Sequence, residues 1–270
     1  MGSQDPYLSA LKKLGLSVVR LPRANLGPLT VMVRDGSKLL VTGTVPELMK
    51  SAVPTPQIRR DQPAAGIAAN KTRELDVSLG LNLLAGWLGA MGAGNLGIET
   101  QFKNAKTITF AFPDVQVDTT SGIELDKYLA RSEPDPTAKQ HVKLLESDRV
   151  YVIVLAAKSR RFSVEAKAAS GQSVSLDVPA IQQLVGGEVK VSAAQSGATT
   201  VSYEGKAPLY FGFQALQLFY KRGQYQGFES AAEDSVAILG DNDAEQLKRR
   251  VWLDWNAPFT AVEDISGAAT

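Results

Sequence analysis

From Leu75 to Leu83 every second residue is apolar: Leu75, Val77, Leu79, Leu81 and Leu83 are separated by Asp76, Ser78, Gly80 and Asn82. Side chains of a β-strand point alternately to two faces, so strict alternation predicts a strand with one apolar face. The pattern resumes at Leu96, Ile98, Thr100 and Phe102, after a flexible apolar stretch from Leu84 to Met91 and a glycine-rich turn. A second pair follows: Phe162, Val164, Ala166 and Ala168 alternate with polar neighbours, and so do Val189, Val191 and Ala193. Between these two, Pro179 to Val185 predicts a short helix.

The rest of the chain fits the same architecture. Asp5-Pro6 opens a predicted helix ending at Gly15, with Asp5 as N-cap and proline in the first turn. Leu16–Leu21, Leu29–Arg34 and Leu39–Thr42 predict strands, the last two joined at Asp35-Gly36. Val45–Lys50 predicts a short helix, and Pro54, Pro56 and Pro63 mark a loop. Further strands are predicted at Thr107–Phe112, Val150–Ala157, Thr199–Tyr203 and Leu209–Tyr220. Val150–Ala157 is apolar on both faces, as a central strand is. Few, short helices around many strands predict an α+β fold with an antiparallel sheet as its core.

Composition narrows the function. With 29 basic and 28 acidic residues, net charge +1, the chain lacks the basic field of a nucleic-acid binder. No cysteine and a single histidine, His141, exclude disulfides, Cys-ligated zinc and His-cluster metal sites, and fit a reducing compartment. No signal peptide is legible. His141 lacks a Gly-x-Ser-x-Gly partner, so no hydrolase site, and no catalytic residue at all, is assigned. Gly92-Ala93-Gly94-Asn95-Leu96-Gly97 matches a dinucleotide fingerprint by letters, but a strand pattern follows where a helix is required. Asp241, Asp243 and Glu245 resemble a calcium loop, yet Gln246 stands where its glycine belongs. No cofactor or metal is expected.

Two features remain. A membrane-crossing strand needs about 9 to 11 residues, with lipid-facing side chains alternating with lumen-facing ones. The residues Leu75, Val77, Leu79, Leu81, Leu83, Leu96, Ile98, Phe102, Phe162, Val164, Val189 and Val191 nearly meet this, although half-buried strands of a water-soluble sheet share the pattern. The tail differs in composition. Its last twenty residues hold Trp252 and Trp255 and carry −3 (Asp254, Glu263, Asp264, no Lys or Arg), so removing them leaves a body of +4 (29 basic, 28−3=25 acidic). Trp252, Leu253, Trp255 and Phe259 are candidate clamp residues. Leu247, Lys248, Arg249 and Arg250, after the polar run 240–243, form a candidate exposed cut site. The expected organisation is a body over 1–240, a linker over 241–250 and a restraining tail over 251–270. The competing class is a lipid- or carbohydrate-binding β module that does not insert.

Asp5-Pro6-Tyr7-Leu8, Val19-Arg20-Leu21-Pro22-Arg23 and Pro28-Leu29 resemble the opening of bacterial gasdermins. Phe211-Gly212-Phe213-Gln214 through Tyr220-Lys221-Arg222-Gly223 resembles their late region, and length and tail agree. The resemblance implies a twisted antiparallel sheet with peripheral helices and a role in antiphage defence. It implies a cytoplasmic intact form and an activating protease that clips the tail. The freed body would then meet bacterial lipids in the inner membrane and form a homo-oligomeric β-barrel pore that kills the cell. By this analogy the membrane hairpins come from about 75–102 and 162–193. Family members commonly carry a lipid-modified cysteine near the N-terminus. Here Ser3 stands at the equivalent position, within a Met1-Gly2-Ser3 start that reads as a cloning remnant.

Overall fold

The structure is a computed structural model that describes residues 16–36, 38–65, 71–72, 74–93, 97–193, 199–230 and 261–264. Fourteen strands are present among them: β1 (Ser17–Arg23), β2 (Thr30–Asp35), β3 (Lys38–Thr44), β4 (Met49–Ser51), β5 (Ile58–Pro63), β6 (Leu75–Asp76), β7 (Thr107–Ala111), β8 (Gln116–Thr120), β9 (Ser132–Pro134), β10 (Val150–Lys167), β11 (Val189–Ala193), β12 (Thr200–Lys221), β13 (Gln224–Ser230) and β14 (Ala261–Asp264). The helices are α1 (Val45–Leu48), α2 (Val77–Ala90), α3 (Gly122–Ala130), α4 (Lys139–Leu145) and α5 (Val178–Val185), with a 3-10 turn at Ile98–Phe102. Twelve strands join one sheet, while β4 and β9 pair separately. The α+β class with an antiparallel core is therefore present as expected; the parallel β14–β3 pair is the exception.

Two long antiparallel strands, β10 and β12, form the spine. In the proximal half, Tyr151–Ala157 pairs with the segment Gly212–Gln217. There β2 and β3 extend the sheet on the β10 side, and β1 and β13 flank β12. In the distal half, Arg161–Glu165 pairs with Thr200–Glu204, flanked by β7 and β11. Strands β8 and β5 lie between the halves, β8 against Leu155–Lys158. Proximally both faces of the spine are covered. Val150, Val152 and Val154 meet α1 and α3 residues such as Leu48 and Leu129 on one face, and Tyr151 and Ile153 meet Val19, Met32 and Leu39 on the other. This two-sided burial is why Val150–Ala157 lacks alternation.

Several predicted elements differ. Leu75–Leu83 is not a strand: only Leu75–Asp76 is extended, and Val77–Ala90 is helical. Asp76 caps that helix, its carboxylate accepting the Ser78 N–H at 2.9 Å. Gly80, Leu83, Leu84, Trp87 and Leu88 are buried together at helical spacing. Trp87 and Leu88 extend the buried stripe beyond the alternating run, and their packing selects the helix. Likewise Ile98 and Phe102 sit on a 3-10 turn, both buried, rather than on a strand; Leu96 lies outside the described residues. The Pro54–Pro63 loop contains β5, an exposed edge strand whose Arg59, Arg60, Asp61 and Gln62 offer no apolar alternation. Helix α3 was legible and missed. Ser121 caps it by accepting the Glu124 N–H at 3.3 Å, and Leu125, Tyr128 and Leu129 form its buried stripe. His141 is half-buried on α4.

Candidate functional site

The distal half gathers most of the residues singled out by pattern. Phe162 and Val164 on β10 and Val189 and Val191 on β11 lie on one face with Phe110, Val201 and Tyr203, and all are buried. The opposite face is polar and laced with ion pairs: Lys71 with Glu165 at 3.6 Å, Arg161 with Glu204 at 3.6 Å, and Lys167 with Glu74. The Lys167 ammonium, through its hydrogen bond and charge, holds the Glu74 carboxyl below its ordinary range. A sheet with one apolar and one polar face has the side-chain order that a bilayer on one side and water on the other require.

Other parts of the chain cover the apolar face. Trp87 of α2 lies with ring centroids 5.1 Å from both Phe112 and Phe162 and 5.9 Å from Phe211. Tyr203 stacks on Phe162 at 5.0 Å, and its buried hydroxyl has no hydrogen-bond partner among the described residues. Gly80 brings α2 onto β7: a Cβ there would lie 2.7 Å from the Ile108 Cβ. Leu75, Val77 and Leu81 pack at the margin of this core, Leu83 lies within it, and Leu79 is 41% exposed. No Asp, Glu, Lys or Arg occurs between Val77 and Ala90.

Both edges of the distal sheet are also covered. On β11, the Gln182 side chain of α5 accepts from the Val191 N–H at 2.8 Å and donates to the Val189 carbonyl at 3.0 Å. It occupies backbone groups that another strand would use. On β7, the Thr72 N–H donates to the Phe110 carbonyl at 2.8 Å, the Thr72 hydroxyl accepts from the Phe110 N–H at 2.9 Å, and Leu75–Asp76 pairs with Thr107–Ile108. Capped edges keep such a sheet from pairing with other chains.

The tail contributes one described element. Strand β14 pairs in parallel with β3, Ala261 opposite Lys38 and Asp264 opposite Val41, and its backbone also runs within 8 Å of β1. It thus lies at the end of the sheet between β3 and β1. Ser3, Leu247, Lys248, Arg249, Arg250, Trp252, Leu253, Trp255 and Phe259, with Asp241, Asp243 and Glu245, lie outside the described residues. Among the described residues no helix is long and apolar enough to cross a membrane, which says nothing of strands. No group of three metal-ligating side chains is found among them.

Comparison with known proteins agrees with this architecture. The profile described as the Bacterial Gasdermin Family matches residues 19–224. The chain is 42% identical over 269 residues to a gasdermin from a Desulfuromonadales bacterium, covering 98% of this chain and 100% of that one. It is 38% identical over 228 residues to a gasdermin of Lysobacter enzymogenes, covering 83% and 84%. The solved structure of a bacterial gasdermin from Bradyrhizobium tropiciagri shares the fold at 16% identity and a TM-score of 0.62, over 97% of this chain and 98% of that one.

Proposed function

The chain belongs to the bacterial gasdermin family, whose members are pore-forming effectors and not enzymes, and on that premise we propose that it is a pore former restrained by its own C-terminal tail. The observation that carries the mechanism is the double pattern of Leu75–Leu83. As a helix, this segment buries Gly80 and Leu83 against the distal sheet; as a strand, it would present Leu75, Val77, Leu79, Leu81 and Leu83 on one face. One sequence satisfies both solvents. Within a bilayer every backbone N–H and C=O must be paired, so the strand form becomes stable only when subunits complete each other's edges in a closed barrel.

The working cycle follows. The intact form is cytoplasmic, with residues 1–240 as the body and 251–270 as the restraint. An activating protease cuts within 241–250, at Leu247–Arg250. The tether's effective concentration, on the order of mM, is then lost. Without that advantage the freed tail, β14 included, leaves β3 and the end of the sheet opens. The body, near +4, meets anionic lipid of the inner membrane more readily. Segments 75–102 and 162–193 leave their helical covers and insert as hairpins, copies join edge to edge, and the resulting pore ends the infected cell in antiphage defence. Ser3 marks where an acyl-bearing cysteine would add a further membrane anchor. Liposome dye release tests the cycle: a chain with a unique protease site placed in 241–250 should leak dye only after cutting. Sealed vesicles after complete cutting would refute it.

A further inference from the structure

The four strands that would lead into and out of the two hairpins are neighbours in the resting sheet. Strand β5 leads out toward 64–106, and β7 with β8 brings the chain back. Strand β10 leads out toward 168–199, and β12 brings it back. Pairing runs β5–β8, β8–β10, β10–β12, each antiparallel. At their common root the spine changes register: Ser159 pairs with Leu209, but Arg161 pairs with Glu204, so β12 carries extra residues there relative to β10.

One residue of each strand meets at that level. Asp118 of β8 has a carboxylate with no exposed surface. Lys158 of β10, 5% exposed, places its ammonium 2.7 and 2.8 Å from the two carboxylate oxygens. Tyr210 of β12 donates its hydroxyl to Asp118 at 2.6 Å. The Asp61 N–H of β5 donates to Asp118 at 2.8 Å, and the Asp61 carboxylate pairs with Lys158 at 2.7 Å. Asp61 reaches this geometry at φ 58, in the left-handed region, beside a break in the β5–β8 register. The Arg60 guanidinium stands 3.6 Å away, and Lys158 also lies 5.5 Å over the Tyr210 ring. Burial pushes the Asp118 carboxyl up. The hydrogen bonds from Lys158, Tyr210 and the Asp61 N–H outweigh that, and the group is held below its ordinary range. It is therefore ionised, with its acceptor sites filled from three other strands.

We propose that Asp118, Lys158, Tyr210 and Asp61 form a root clamp that holds the four stem strands in one register, at rest and in the membrane, so that each subunit inserts as a single four-stranded ribbon. The proposal rests on the pore-forming reading above. A buried ion pair adds little to stability over a well-packed apolar pair, but fixing register is the role in which buried ionic groups are best attested. A one-residue slip of any stem would turn its hairpin's apolar side chains toward the lumen. The clamp residues lie outside both refolding segments: 75–102 begins after Asp61 and ends before Asp118, and 162–193 begins after Lys158 and ends before Tyr210. Their rearrangement does not require it to open.

The experiment uses the full chain with a unique protease site in 241–250, carrying Tyr210→Phe or Asp118→Asn. A matched control, Leu129→Ala, alters the proximal core away from the root. Cutting, liposome co-sedimentation, release of a large dextran and single-channel conductance are measured. Loss of one charge-assisted hydrogen bond in Tyr210→Phe should cut dextran release by roughly tenfold. Conductance steps should spread from one value to many, with cutting and membrane binding unchanged. Asp118→Asn should do the same more severely, and Leu129→Ala should keep uniform steps even if its melting temperature falls as far. If Asp118→Asn fails to fold, Tyr210→Phe alone decides. Uniform conductance with normal release in Tyr210→Phe would overturn the clamp. Faster release would overturn it too, because the cluster would then be a lock on the resting state. A parent chain that is cut yet leaves vesicles sealed would sink the pore-forming reading first, and the clamp with it.

Discussion

Replacing Gly80 with valine tests whether helix α2 stores the first hairpin. In the resting protein, the Cβ of any residue at position 80 would lie 2.7 Å from the Ile108 Cβ, and that carbon is fixed to the β7 backbone. The helix must lift or β7 must shift, and overpacking of this kind costs about 1–3 kcal/mol. Valine fits a helix interior slightly better than glycine, which returns about 0.5 kcal/mol. In the strand form valine gains up to about 1 kcal/mol. The net bias toward the unfurled form is about 0.5 to 3.5 kcal/mol, or roughly two- to three-hundredfold in equilibrium at about 1.4 kcal/mol per decade. The assay is the half-time of dye release after cutting at an introduced site, with thermal denaturation of the uncut chain alongside. Gly80→Val should lower the melting temperature and shorten the half-time several-fold. A lowered melting temperature with unchanged or slower release would show that α2 is a plain structural helix, and the reasoning would fail.

Other substitutions separate resting from inserted roles. Leu79 is the one large side chain of the alternating stripe exposed at rest, so Leu79→Asp should change unfolding free energy by no more than about 0.5 kcal/mol. It should nonetheless abolish leakage, since an acidic side chain would then face lipid; leakage at the parent level would remove 75–102 from the membrane. Tyr203→Phe deletes a buried hydroxyl without a partner among the described residues and should raise the urea midpoint by the equivalent of about 1 kcal/mol, with slower release; a lower midpoint would mean the hydroxyl is satisfied. Val262→Pro in β14 should let the uncut chain leak, because proline cannot donate to a strand partner; a sealed vesicle would show that β14 is no part of the restraint. For Asp118, whose pKa is depressed on folding, the linked stability is present above its ordinary pKa and disappears as pH falls through its lowered folded value. The parent should therefore begin to lose its advantage over Asp118→Asn below about pH 4, so the gap between their denaturant midpoints should be smaller at pH 3 than at pH 7.

The legible and illegible parts of the fold divide by what each residue contacts. Strands β10 and β12 were readable because Phe162, Val164, Val201 and Tyr203 pack one face on a core and leave the other in water, which imprints period two. Helix α2 was misread because Leu75–Leu83 carries that same imprint; the deciding contacts, Trp87 with Phe112 and Phe162, join residues far apart in sequence. The Asp76 cap before the apolar run was the local signal available. Strand β5 stayed hidden because an exposed edge strand needs no apolar residues. The Asp118 cluster was invisible for a related reason: a carboxylate in a polar stretch looks solvated until Lys158, Tyr210 and Asp61 are brought to it from three other strands.

The central claim is that two segments leave the sheet and cross a bilayer after the tail is cut. Paired cysteine labels test it most directly, since the chain has none of its own. Single cysteines at Leu79 and Ser163, each carrying an environment-sensitive dye, report opposite faces. After cutting on liposomes, the label at 79 should turn blue and be quenched by lipid-borne quenchers, while the label at 163 should answer only to aqueous quencher. Both labels remaining in water, on cut protein whose vesicles nonetheless leak, would contradict the account.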